Sequence, residues 1–200
     1  MKRIVLILCL LVAMAGIASA ASFDKVAPMS DEQSRNFLTS LAGTPVWFDR
    51  HSSHHSEYRL NTLYNLEHVL IGNIDIDNGI IEIIKDDGSN FNWQPITEID
   101  FGKNYEKHSA AVTLAMEVQW LFYLKNPYEE HPDWSENAWS YIKNEKVYIG
   151  MTEQMCKLSW GKPQKVNRTT GSWGTKEQWV YGDFGPYLYF DNGTLTTIQN

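Results

Sequence analysis

Residues 151–163 read Met151-Thr152-Glu153-Gln154-Met155-Cys156-Lys157-Leu158-Ser159-Trp160-Gly161-Lys162-Pro163, and this stretch decides the architecture of the C-terminal third. Thr152 suits an N-cap, because its hydroxyl can accept a hydrogen bond from an open amide of the first turn. Met151 before it and Cys156 four positions into the helix make a hydrophobic staple. Leu158 and Trp160 extend the apolar pattern, and Gly161 with Pro163 ends the helix. Downstream, 166–170 can form a strand, and a loop over 171–174 leads to Gln178-Trp179-Val180-Tyr181. Tyr187-Leu188-Tyr189-Phe190 follows, then the tight turn Asn192-Gly193 and a last strand over 195–198. Upstream, Ser135 caps a short helix carrying Trp139 and Ile142. One or two short helices followed by a three-stranded antiparallel sheet form a small α+β layer pair.

Earlier in the chain, Ser30-Asp31-Glu32-Gln33 reads as a capping box before a short helix with Phe37, Leu38 and Leu41 on its apolar side, stopped by Gly43. The next eighty residues read mainly as short strands: Pro45-Val46-Trp47-Phe48, Tyr58-Arg59-Leu60, 66–71, Ile74-Asp75-Ile76, 80–84 and Phe91-Asn92-Trp93, with 96–101 alternating less cleanly. Asn78-Gly79 is a hairpin signal, since both residues tolerate positive φ. The segment 110–116 suits a short helix, and Val118-Gln119-Trp120-Leu121-Phe122-Tyr123 reads as a buried strand. These strands predict a small sheet joined by tight turns, curled or barrel-like. Two prolines and clustered polar residues over 125–134 suit a connector. The expected fold class is therefore α+β: a small β-rich part over 21–130, then a helix–helix–three-stranded antiparallel module over 131–200.

The N-terminus predicts export. Lys2 and Arg3 precede an apolar run over 4–16, and Ala18-Ser19-Ala20 is a small-x-small cleavage site before Ala21. The run is shorter than a membrane-spanning helix needs, and no second long apolar stretch follows it. Cys9 lies inside the run, not at the first mature position, so lipidation has no acceptor there. The expected mature form is periplasmic or secreted.

Loss of Lys2 and Arg3 takes the formal charge from −7 to −9. That sign disfavours nonspecific attraction to nucleic acid or anionic lipid. Cys156 is the single cysteine of the expected mature chain, so no internal disulfide can form and the fold depends on buried apolar surface.

Six histidines invite a metal reading, and His51-Ser52-Ser53-His54-His55 is the densest group. His51 and His55 are four apart and can share a helix face. Neither the HExxH arrangement nor a sequence-local third ligand is present apart from Glu57, so a solvated polar loop is favoured over a metal site. Asp75, Asp77 and Asn78 lack the spacing of a calcium loop and are read as turn chemistry. Cys156 falls within the apolar pattern and has no histidine near it in sequence, which argues against a nucleophile. No serine-hydrolase elbow or phosphate-binding glycine loop occurs. No cofactor is expected.

The pieces Ile149-Gly150-Met151-Thr152, Trp160-Gly161-Lys162-Pro163, Val166-Asn167, Gln178-Trp179-Val180-Tyr181-Gly182 and Tyr189-Phe190-Asp191-Asn192-Gly193 together resemble the outer-membrane assembly lipoprotein family SmpA/OmlA (BamE) and related β-lactamase-inhibitor-protein-like folds. The resemblance spans 149–199. It implies a helix pair on a three-stranded antiparallel sheet, and a role in binding envelope proteins or other envelope components without catalysis. The chain departs from that family in lacking the lipid-bearing cysteine and in carrying a β-rich segment first. The organisation of the whole is similar to exported proteins of Bacteroidetes type. The leading expectation is an exported, non-catalytic binding or structural protein of the cell envelope, acting through protein–protein contacts. Trp134, Trp173, Phe184 and Tyr187 are the candidate contact residues, because they fall on loops or loop edges and aromatics anchor such surfaces. The alternative is a metal-dependent or other hydrolase using the histidine-rich loop over 51–55.

Overall fold

The computed structural model describes residues 29–52, 60, 62–94 and 108–200. The targeting segment, His54, His55, the Tyr58-Arg59 strand expectation and the 96–101 segment lie outside them. The described elements are α1 (Asp31–Leu41), β1 (Pro45–Phe48), a 3-10 turn (Arg50–Ser52), β2 (His68–Asp75), β3 (Ile80–Lys85), β4 (Asn90–Trp93), α2 (Ala110–Leu121), β5 (Phe122–Tyr123), α3 (Pro127–Glu130), α4 (Glu136–Lys143), α5 (Glu153–Trp160), β6 (Lys165–Gly171), β7 (Gly174–Val180), β8 (Tyr187–Asp191) and β9 (Thr194–Gln199). Helices and antiparallel sheets make this an α+β fold.

The local signals act as their chemistry dictates. The Gln33 amide donates to Ser30 Oγ (3.2 Å), and Gln33 Oε1 accepts from the Ser30 amide (2.9 Å), closing the capping box of α1. In the β2–β3 turn only Gly79 takes left-handed backbone (φ 65°). Asn78 instead donates its amide and side chain to the Asp75 carboxylate, at 3.1 and 2.7 Å. Asp77 pairs with Arg35 of α1 at 3.0 Å. Asp75 and Asp77 are thus used by the turn and by α1.

The first sheet runs β4-β3-β2-β1-β5, each neighbour antiparallel. β4 and β5 are its edges and do not pair with each other among the described residues, so the described strands form an open sheet. One face, with Val46, Phe48, Val69, Ile71, Ile81, Ile83 and Trp93, packs with Leu38 and Leu41 of α1 and Ala111, Leu114, Ala115, Val118 and Leu121 of α2.

The strand expected over 118–123 is mostly helix. α2 runs to Leu121, and only Phe122 and Tyr123 join the sheet, opposite Phe48 and Trp47. Eight of its side chains are buried, spread around most of the helix. A helix apolar on nearly all sides has no 3.6-residue stripe, and its last turn then looks like a continuous strand run.

The second sheet has four strands in the order β6-β7-β8-β9, one more than expected. β6 pairs with β7 along its whole length, from Lys165 opposite Val180 to Gly171 opposite Gly174. It buries none of its side chains, so no alternation of apolar residues marks it as an integral strand. Trp139 and Ile142 of α4, Cys156 and Leu158 of α5, and Met151 cover one face of this sheet, against Trp179, Leu188, Phe190 and Leu195.

The two cores meet at a polar seam. The Asn65 side-chain amide donates to the carbonyls of Ile142 (3.1 Å) and Leu158 (2.8 Å), and Leu66 beside it enters the second core. Gly161 ends α5 at φ 74°, ψ −166°, a region open essentially to glycine alone. A Cβ there would also lie 2.7 Å from His51 Cβ. No helix among the described residues is long and apolar enough to cross a membrane.

Candidate binding surface

Strand register sorts the side chains of the second sheet into two faces, because successive residues point to opposite sides. Val166, Arg168, Glu177, Trp179, Leu188, Phe190 and Ile198 share the face under α4 and α5, as the pairs Val166–Trp179, Arg168–Glu177, Trp179–Leu188 and Leu188–Ile198 require. The buried Glu177 carboxylate is satisfied there, accepting from Trp179 Nε1 and from Arg168 Nε, each at 2.6 Å. The opposite face carries Lys165, Asn167, Thr169, Gly171, Lys176, Gln178, Val180, Tyr187, Tyr189 and Asp191 by the same register, and each is exposed or half-buried.

A hydrogen-bonded row crosses that second face. Asn167 Nδ2 donates to Gln178 Oε1 (2.9 Å), Gln178 Nε2 donates to the Tyr189 hydroxyl (3.1 Å), and Tyr189 donates to Gln199 Oε1 (2.7 Å). Lys176 and Asp191 form an ion pair at 2.8 Å beside it. At one end the indole of Trp173 lies over Gly171, where a Cβ would come 2.7 Å from its Nε1. The Lys176 ammonium stands 5.7 Å from the Trp173 ring centroid. At the other end Tyr187 sits beside Gly185, and the loop between β7 and β8 holds Phe184 at 96% exposure.

Three of the four aromatic candidates therefore gather on this sheet and its loops: Trp173, Tyr187 and Phe184. Trp134 does not join them. It stacks on His131 (centroids 4.1 Å apart, planes 7° apart), lies 5.0 Å from Trp139, and is half-buried at the rim of the second core. Sequence inspection missed Asn167, Gln178, Tyr189 and Gln199. The available signal was the alternation around Trp179 and Leu188, which puts their sequence neighbours on the outer face.

The histidines are dispersed. His51 packs against Gly161 with its Nε2 buried and without a hydrogen-bond partner among the described residues. His68 pairs with Asp86 at 2.5 Å, and His131 meets Gln154 at 3.0 Å. Among the described residues no three His, Cys, Asp or Glu side chains are placed to hold a metal ion. His55, the other candidate ligand, lies outside them.

Burial keeps two potential nucleophiles protonated. Tyr123 is pushed well above the ordinary phenol range, first by burial and then by the neighbouring Asp49 carboxylate, which accepts its hydrogen bond. Cys156 is pushed up to about 12 by burial, with the charge of Glu153 adding to it. A nucleophile needs the opposite shift. Cys156 should accordingly resist a thiol reagent at pH 8 in native protein and react at the rate of global unfolding. Rapid labelling without unfolding, followed by mass spectrometry, would contradict this burial.

No protein-family model, no curated protein and no solved structure matches this chain.

Proposed function

We propose that the protein is an exported, non-catalytic binding protein of the cell envelope that recognises another macromolecule through protein–protein contacts made by its C-terminal unit. The observation that carries this reading is the placement of Phe184. A phenylalanine 96% exposed on the loop between β7 and β8 presents an aromatic side chain of the kind enriched at protein–protein interfaces. Burial against a partner would remove that apolar surface from water. Val166, 43% exposed on the outermost strand β6, lies at the same end of the sheet. The resemblance of 149–199 to the SmpA/OmlA family is part of the same proposal; α5 followed by antiparallel strands supports it, while α4 lies before that span and the sheet has four strands where the resemblance implies three.

Phe184 is not packed in either core, so Phe184→Ser leaves the fold intact. The expected result is that the wild-type protein enriches a specific envelope partner in a pull-down and Phe184→Ser loses most of it, with equal thermal midpoints for the two proteins. Equal enrichment by both, or none by either, would count against the reading.

A further inference from the structure

The outer face of the second sheet has a chemistry of its own. Two features of a binding surface coincide there: aromatic side chains that are exposed or half-buried, and side-chain amides held by hydrogen bonds. Asn167, Gln178, Tyr189 and Gln199 hydrogen-bond in one continuous direction across all four strands. Each amide group carries donors and an acceptor, and this row uses only part of that capacity. Asn167 and Gln199 are exposed and Gln178 is half-buried, and each is held by a neighbour, which lowers the entropy cost of engaging a ligand.

Charge narrows the ligand class. Within a protein of net charge −7, the described residues of this face carry Lys165 at one corner and the Lys176–Asp191 pair, whose charges cancel at 2.8 Å. Such a face has no strong field to attract a polyanion or a highly charged peptide. A neutral polyol matches it, because each hydroxyl both donates and accepts and no charge is desolvated.

The aromatic groups add the second requirement. The carbon-bound hydrogens of a sugar ring form an apolar patch that settles on an aromatic face. Trp173, 50% exposed, holds its indole across Gly171. Gly171 has ordinary, not left-handed, backbone, so what its missing side chain provides is room for the indole. Tyr189 lies in the centre of the face, and Tyr187 lies toward the far end. From Gly174 to Val180 the sheet extends about 20 Å at ~3.4 Å per residue, long enough for several consecutive sugar rings.

We propose that this outer face binds a neutral polysaccharide chain, with Trp173, Tyr189 and Tyr187 as stacking surfaces and Asn167, Gln178 and Gln199 as the hydrogen-bonding row. The site goes beyond the protein contacts proposed above and does not include Phe184, so either proposal can fail without the other.

The test is calorimetric titration of the full protein with three neutral oligosaccharides, cellohexaose, chitohexaose and maltohexaose, at millimolar concentration, with tryptophan fluorescence as a second readout. At least one is expected to bind. Trp173→Ala, and Gly171→Val, which displaces the indole by filling its space, are each expected to weaken binding about tenfold. Tyr189→Phe keeps the ring and breaks the row, and is expected to weaken binding about threefold to tenfold. Phe184→Ser is expected to bind the sugar normally. Trp173 sits in an exposed hairpin and Tyr189→Phe is nearly isosteric, so thermal midpoints close to wild type check that the variants are folded. The proposal is overturned if folded wild-type protein binds none of the three sugars, or if Trp173→Ala and Tyr189→Phe bind as wild type does. It is equally overturned if an uncharged strand-forming peptide binds this face with that residue dependence while the sugars do not.

Discussion

At pH 8, Glu117→Gln is expected to stabilise the protein by about 3 kcal/mol, while at pH 4 the two proteins unfold at nearly the same urea concentration. Glu117 is buried on α2, and the described residues give its carboxyl no ion-pair partner. Desolvation alone raises its pKa from 4.5 to about 7. A folded pKa above the unfolded one means that the neutral acid fits the native state and the carboxylate does not. The contribution to stability is fully present below about 4.5 and is lost as pH rises through about 7. At about 1.4 kcal/mol per pH unit, that interval corresponds to roughly 3 kcal/mol. The glutamine side chain of the variant has nearly the shape of the neutral acid and no proton to lose, so its stability should lack this decline. Urea unfolding between pH 4 and pH 9 measures the difference. Parallel stability curves for the two proteins would show that Glu117 is not desolvated in solution.

Asn65→Asp is expected to cost about 3–5 kcal/mol at neutral pH, the scale for leaving an uncompensated charge buried. Asn65 joins the two cores because one amide nitrogen donates to two carbonyls from distant parts of the chain, on Ile142 and Leu158. A carboxylate of the same shape would present oxygen to both of them, with no proton to share. The new acid would hold its proton in the folded state, so its pKa would lie above the unfolded value. The loss should therefore diminish as pH falls toward the ordinary aspartate range. Asn65→Ala, which adds no charge and leaves the two carbonyls unpaired, is expected to cost about 2 kcal/mol with little dependence on pH. Thermal unfolding at pH 4 and pH 7 separates the variants. An Asn65→Asp protein as stable as wild type at pH 7 would mean that the seam opens to water.

The readable part of the fold was local. The Ser30 capping box, the Thr152 and Ser135 caps and the Asn192-Gly193 turn all form as their side chains predict, because each acts within a few residues of itself. A strand was expected over 166–170 but not counted in the sheet, and the end of α2 was expected as a strand, for opposite reasons. β6 buries nothing and so leaves no apolar pattern, whereas α2 buries so much that the pattern disappears.

The candidate surface divides along the same line. Exposed aromatics on loops can be guessed from turn residues, and Trp173, Phe184 and Tyr187 were found that way, while Trp134, picked on the same grounds, stacks on His131. The row from Asn167 through Gln178 and Tyr189 to Gln199 spans 32 sequence positions and depends on strand register across two turns and a loop. Asn65 reaches 77 and 93 positions along the chain for its partners. By itself the sequence determined the α+β class, most helix starts and tight turns, and the acidic charge balance, since backbone conformation and net charge are set by residues acting locally or merely counted. Tertiary structure alone decided which polar groups lie open, which are joined across the seam and which lose their water, because hydrogen-bond geometry and desolvation depend on neighbours that only packing brings together.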